Sequence, residues 1–154
     1  MNQLTTQTKL LQKAVLVVEG KFLILKRSPQ SQTRPNQWDL PGGNSEWPKP
    51  VNDVQNGHIG DLIREIEEET GVLVSTDKIT QPIYFGTYFE GRKQLYTIIV
   101  GWQVNLPAKP LVKISDEHTE YTWIKAEDFD QFEFGFAGSP DGFIRQMVFS
   151  ASNL

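Results

Sequence analysis

Residues 64–71 read Arg-Glu-Ile-Glu-Glu-Glu-Thr-Gly, so four glutamates stand within eight positions, and Asp61 lies one turn before them. Wound as an α-helix, Glu65 and Glu68 are i,i+3 neighbours and Glu65 and Glu69 are i,i+4 neighbours, near enough for their carboxylates to repel. The crowding falls at the end of the segment, where the negative pole of the helix dipole prefers cations. A hydrated acidic face is the commoner explanation of such a run. The sharper one is a divalent cation that cancels the repulsion. Mg²⁺ takes hard oxygen ligands, keeps several waters and is commonly held by one or two carboxylates together with substrate phosphates. An acidic helix face suits such an ion well.

The acids need a helix to bring them together, and the apolar residues supply its period. Ile59, Leu62, Ile63, Ile66 and Thr70 form one stripe at about 100° per residue, which predicts a helix over 58–70. Asp61, Glu65, Glu68 and Glu69 are then expected opposite that stripe, with Glu67 on the flank. Gly71 stands where helices commonly stop in the left-handed conformation.

Other elements follow from alternation and breakers. From Lys13 the chain reads KAVLVVEGKFLILKRS, two β-rich runs around Glu19-Gly20-Lys21, the pattern of a tight hairpin. Residues 28–37 are polar and broken by two prolines, which predicts a loop before Trp38-Asp39-Leu40. Pro41-Gly42-Gly43 forces a turn, and residues 44–57 carry two more prolines without helical period. A second hairpin is expected from QPIYFGTYFE and KQLYTIIVGWQV around Gly91-Arg92, and YTWIK (121–125) reads as a further strand. Ser139 as cap, Pro140 at the first helical position and the apolar stripe of FIRQMVF predict a closing helix. Strand pairs interleaved with two amphipathic helices make a mixed β-sheet flanked by helices, an α+β or αβα arrangement.

Composition narrows the function classes. The chain has 154 residues, 38% hydrophobic and 22% charged, enough for one domain (1–154) with a hydrophobic core. A formal net charge of −4 leaves no general basic field, so a nucleic-acid polymer is a poor candidate partner. With no cysteine, thiolate metal sites and disulfides are excluded, and a metal must be held by oxygen or by His58 and His118. No apolar run is long enough to span a bilayer, and the N-terminus lacks the apolar stretch of a signal peptide, so a cytoplasmic location is expected. The string does not fix an oligomeric state.

Taken with Pro41-Gly42-Gly43, the string from Arg64 to Val72 resembles the signature of Nudix hydrolases, whose box reads G-x5-E-x7-R-E-U-x-E-E-x-G-U with U a bulky aliphatic residue. Arg64, Glu65, Ile66, Glu68, Glu69, Gly71 and Val72 match its second half at every specified position. Leu25-Lys26-Arg27-Ser28, Trp38-Asp39-Leu40-Pro41-Gly42-Gly43 and the stretch from Ser115 to Trp123 extend the likeness from the first hairpin to about residue 130. The first half of the box departs from the pattern. Twenty residues separate Gly43 from Arg64 where the family has thirteen, and the early glutamate's position falls on Asn56 or Lys49 depending on the direction of counting. Glu46 and Asp53 are the acids that the longer loop offers in its place.

The resemblance implies a Nudix-type αβα sandwich and a Mg²⁺-dependent hydrolase, Mn²⁺ serving as an alternative ion. It implies Glu65, Glu68 and Glu69 as metal ligands, with Arg64 holding loop and glutamates in place. Arg27 is implied as a phosphate contact, and Gly42 and Gly43 as residues that let backbone pass close to metal or phosphate. Glu68 is the first candidate for the general base, with Glu65, Glu117 and Glu120 as alternatives. Trp38 and Tyr88 are read as packing residues, and His118 is left without a role. The expected reaction is hydrolysis of a nucleoside diphosphate linked to another group, most simply a nucleoside triphosphate, to a monophosphate and pyrophosphate. The altered loop keeps a second reading open, that of a Nudix-like sensor that binds nucleotide without turnover.

Overall fold

The computed structural model describes residues 7–49, 51–152 and 154. Its centre is β1 (Gln7–Val18), which pairs in parallel with β6 (Leu95–Asn105) from Gln7 opposite Leu95 to Val17 opposite Asn105. On its other side β1 meets β2 (Lys21–Arg27) at the tight turn and β4 (Gly42–Asn44) further back, both antiparallel. Glu19 and Gly20 both adopt positive φ, 50° and 74°, the geometry that joins strands through a two-residue turn. The sheet runs β3 (Trp38–Asp39), β2, β1, β6, β5 (Pro82–Glu90), with β7 (His118–Ile124) paired to β2. Parallel and antiparallel pairs share one sheet, as the sequence pattern requires.

Alternation along the strands then builds two cores. Val15, Val17, Phe22 and Ile24 point to one face, and Ala14, Leu16, Leu23 and Leu25 to the other. The helix α1 (Gly57–Thr70) brings Leu62 and Ile66 to the second face, whereas α2 (Phe143–Ser150) brings Ile144, Met147 and Val148 to the first. β1 is accordingly buried continuously from Gln12 to Val18, because helices cover both of its sides. The layers are α, β, α.

Most expected elements lie where the sequence puts them, and the differences have local causes. The helix over 58–70 begins one residue earlier, and Gly71 closes it at φ 71° with its N–H on the Glu67 carbonyl. The closing helix starts at Phe143 rather than near Ser139. The Ser139 hydroxyl donates to the Phe136 carbonyl and the Gly142 N–H to the Ser139 carbonyl, so residues 139–142 form a turn and the cap position passes to Gly142. Trp38 packs edge-on against Phe132 with ring centres 5.3 Å apart, a packing role. No helix among the described residues is long and apolar enough to cross a membrane.

Candidate functional site

β4 is a three-residue strand wedged between β1 and the C-terminal half of α1, and at its first position only glycine fits. Gly42 has φ +141°, and a Cβ on it would stand 2.1 Å from the Gln12 carbonyl oxygen. A Cβ on Gly43 would stand 2.6 Å from the Glu65 carboxylate. Missing side chains thus let backbone and acidic helix meet directly, and the Gly42 N–H donates to Glu69 Oε2 at 2.9 Å. This contact corrects the helical projection. Glu69 is buried, beside Leu62 at the margin of the apolar stripe, and not on a solvated acidic face.

Burial sets the charge state of these acids. It raises the Glu69 carboxyl to about 8, against the pull of Lys13 and of the Gly42 N–H, while Asp39 and Glu65 add repulsion. Burial likewise raises Glu65, although Arg64 beside it pulls the other way. Glu68 differs, with a side chain 57% exposed and a hydrogen-bonded ion pair to Arg64 Nη1 at 3.1 Å. The same nitrogen lies 3.0 Å from Glu65 Oε1, so Arg64 is the cation that separates these two carboxylates. Its other terminal nitrogen is buried with no hydrogen-bond acceptor and faces Glu46 at 3.7 Å and Asp61 at 3.9 Å. Of the two acids in the lengthened loop, Glu46 is the one seen to reach Arg64, and its own N–H is tied to Asp61.

One cavity of about 590 Å³ gathers Arg27, Gly42, Gly43, Glu65, Glu69 and Glu117. Arg64, Glu68 and Glu120 do not line it; Glu120 lies on β7 in an exposed pair with Lys26 at 3.5 Å. Three residues without an expected role complete the site. Asp39 is fully buried, and its Oδ2 receives Lys13 at 2.9 Å, Arg27 at 3.0 Å and Arg34 at 2.7 Å. Burial would raise its carboxyl, but those three cations hold it well below the usual carboxylate range. A lysine at the head of an apolar strand was the available clue to Lys13, since a buried ammonium needs a partner. Nothing in the string marks Arg34 among the polar residues of its loop. His118 is buried beside this cluster; burial, then Lys13 and Arg27, lower its imidazole to about 4 against the opposing Asp39, and Nδ1 has no hydrogen-bond partner.

Among the described residues no three acidic or histidine side chains already converge on a point that could hold a metal. The donor chemistry nevertheless fits a hard cation. Glu65 and Glu69 line one cavity, and burial raises both carboxyls, so a cation bound between them would offset the cost of charging them. Two carboxylates, with phosphate oxygens and waters, are a common Mg²⁺ donor set.

Comparison with known proteins bears on the family and the fold. The NUDIX domain pattern matches residues 11–146. The chain is 30% identical over 125 residues to "Nucleoside triphosphatase NudI" of Escherichia coli, covering 77% of this chain and 83% of that protein. The MutT protein of Methanosarcina mazei superposes with a TM-score of 0.67 at 27% identity, covering 94% and 96% of the two chains. A NUDIX hydrolase of Nitrosomonas europaea superposes with a TM-score of 0.66 at 14% identity over 94% and 88%, a likeness of fold. A box helix pressed onto a Gly-Gly strand inside an αβα sandwich, together with these matches, places the chain in the Nudix hydrolase family.

Proposed function

We propose that this chain is a Mg²⁺-dependent pyrophosphohydrolase of nucleoside diphosphate derivatives, with a nucleoside triphosphate as substrate and a monophosphate and pyrophosphate as products. The observation that carries the reading is the shared cavity: one part of its lining offers Glu65, Glu69 and Glu117, another Lys13, Arg27 and Arg34. A small polyanion that brings a cation with it suits both parts. The name of the E. coli relative, nucleoside triphosphatase, supports the same substrate class. The reading includes a small-molecule substrate, a single domain and a cytoplasmic setting.

Glu65 and Glu69 would hold a divalent ion, Mg²⁺ or Mn²⁺, with Glu68, now paired to Arg64, as a third candidate ligand. Such an ion would screen phosphate charge and lower the pKa of the attacking water. Glu117, already in the cavity, takes the water's proton as the P–O bond to the pyrophosphate breaks; Glu65, Glu68 and Glu120 are the rival bases, the last two from outside the cavity. Gly42 and Gly43 keep β4 bare, so that Glu65 and Glu69 reach it directly. Arg64 holds Glu65 and Glu68 in register.

The test is incubation with a panel of nucleoside triphosphates, nucleoside diphosphate sugars and dinucleoside polyphosphates with Mg²⁺, scoring released pyrophosphate or monophosphate. Turnover of a triphosphate that Glu65→Gln abolishes in a folded protein supports the reading. Tight binding with no turnover across the panel replaces it with the sensor.

A further inference from the structure

Two arginines serve the loop between β2 and β3, and their hydrogen bonds divide the labour. Arg27 commits its guanidinium to the loop itself. Nε donates to the Thr33 carbonyl at 2.8 Å, Nη2 to Ser31 Oγ at 2.8 Å and Thr33 Oγ1 at 3.0 Å, and Nη1 to Asp39 at 3.0 Å. A guanidinium has five N–H donors, so one remains. The irregular register between Lys26 and Arg27 turns the side chain towards that loop.

Arg34 stands in the opposite condition. Nη2 meets Asp39 at 2.7 Å, but Nη1 is buried and has no acceptor. Leaving such a donor unmade costs stability unless something supplies its partner. The backbone there has φ +48°, a conformation arginine rarely adopts, and it follows directly on Thr33, which Arg27 grips. Strain held in place by neighbours in this way clusters at ligand sites. The guanidinium also lies 5.5 Å from the Phe143 ring, and its side chain is 24% exposed in the cavity that holds Glu65 and Glu69. Charge points the same way. Lys13, Arg27 and Arg34 share the single charge of Asp39, so the cluster keeps two positive charges in excess.

We propose that Arg34 makes the direct contact to the phosphate chain of the substrate, and that Arg27 is a positioning residue that fixes the loop carrying Arg34. The inference rests on the phosphoanhydride reading above and moves the phosphate contact away from Arg27. Anchored on Asp39 through Nη2 and about a quarter exposed in the cavity, the Arg34 side chain is held in place beforehand, which is what recognition of a phosphate oxygen requires. The excess charge favours the terminal phosphate of a triphosphate over the neutral sugar of a sugar nucleotide. Arg34 is then a determinant of specificity for polyphosphate ends.

The experiment is calorimetric titration of the full chain, with Mg²⁺, against inorganic pyrophosphate and an α,β-methylene nucleoside triphosphate. Arg34→Gln is expected to weaken both by roughly tenfold or more, with Tm within about 2 °C of wild type. Arg34→Lys should recover part of the loss. Arg27→Gln should weaken binding only together with faster proteolysis of the loop and a lower Tm. In turnover, Arg34→Gln raises KM more than it lowers kcat, and the triphosphate loses more than a nucleoside diphosphate sugar. Wild-type affinity in Arg34→Gln overturns the proposal. So does a loss as large in Arg27→Gln whose loop and Tm are unchanged, or a wild type that binds neither probe. If the wild type binds through Arg34 but hydrolyses nothing in the panel, the hydrolase reading falls and the contact stands. Turnover that Arg34→Gln leaves unchanged removes the contact alone.

Discussion

The Glu69 carboxylate accepts the Gly42 N–H at 2.9 Å, which fastens the last turn of the acidic helix to the strand that begins the glycine pair. That carboxyl is raised from 4.5 to about 8, chiefly by burial. A carboxyl with a higher pKa folded than unfolded binds more protons in the folded state, so stability falls as pH rises from 4.5 towards 8 and then levels off. Metal-free protein should therefore lose Tm over that interval, and Glu69→Gln should flatten the loss. Differential scanning fluorimetry in chelator across pH 5–8 checks it; parallel curves for the two proteins would place the charge elsewhere.

Divalent ion should reverse the same penalty. Mg²⁺ at about a hundred times its Kd adds roughly 2.7 kcal/mol by mass action, enough to read as a clear rise in Tm. Glu65→Gln and Glu69→Gln are expected to remove most of that rise. Glu68→Gln, which starts on Arg64, should remove less. Equal rises in all four proteins would mean that the ion binds away from the cavity.

The paired glycines separate a folding requirement from a functional one. Gly42→Ala drives a Cβ into backbone at 2.1 Å from a positive-φ residue, so β4 must move, and the loss is expected at roughly 2–4 kcal/mol. Gly43→Ala meets the end of the Glu65 side chain, which can swing aside. Its stability should change by about 1 kcal/mol or less, while Mg²⁺ affinity and turnover fall. Urea denaturation beside metal titration distinguishes the two, and a Gly43→Ala protein as unstable as Gly42→Ala would refute the split.

Asp39 makes the opposite prediction in acid. Its carboxyl is held below the ordinary 3.8 by Lys13, Arg34 and Arg27 despite burial. Its contribution is fully present above that value and drains away as pH falls beneath it. Asp39→Asn should cost about 3–5 kcal/mol at neutral pH, because three cations lose their common anion, and should shed the corresponding part of the acid sensitivity below pH 4. Chemical denaturation at pH 7 and pH 3 measures both; a loss that is the same at the two pH values would contradict the charge assignment.

What the string made legible was periodic or local. Stripe and alternation placed α1, both hairpins and the two-sided core, because Leu62, Ile66 and the valines of β1 repeat with the period of their element. Gly71 marked its helix end by backbone chemistry alone. Glu69 was misplaced because it lies one step round the helix from Leu62, where the decision between core and solvent belongs to β4, a partner twenty-seven residues away. Ser139 misled in the same manner: a good capping residue was captured by a turn closed from Phe136. The basic cluster was invisible because Lys13, Arg27, Arg34 and Asp39 lie on three strands and a loop, and no single window of sequence contains their meeting point.

Arg64 between Glu65 and Glu68 carries a consequence for biogenesis. Its positive charge is supplied by the chain itself, one residue from one acid and a helical turn from the other, so the helix can consolidate in a metal-poor cell without waiting for an inorganic guest. On the proposed reading an ion would arrive late and reversibly, exchanged against this internal tenant, and its scarcity should leave an intact, idle protein rather than a misfolded one.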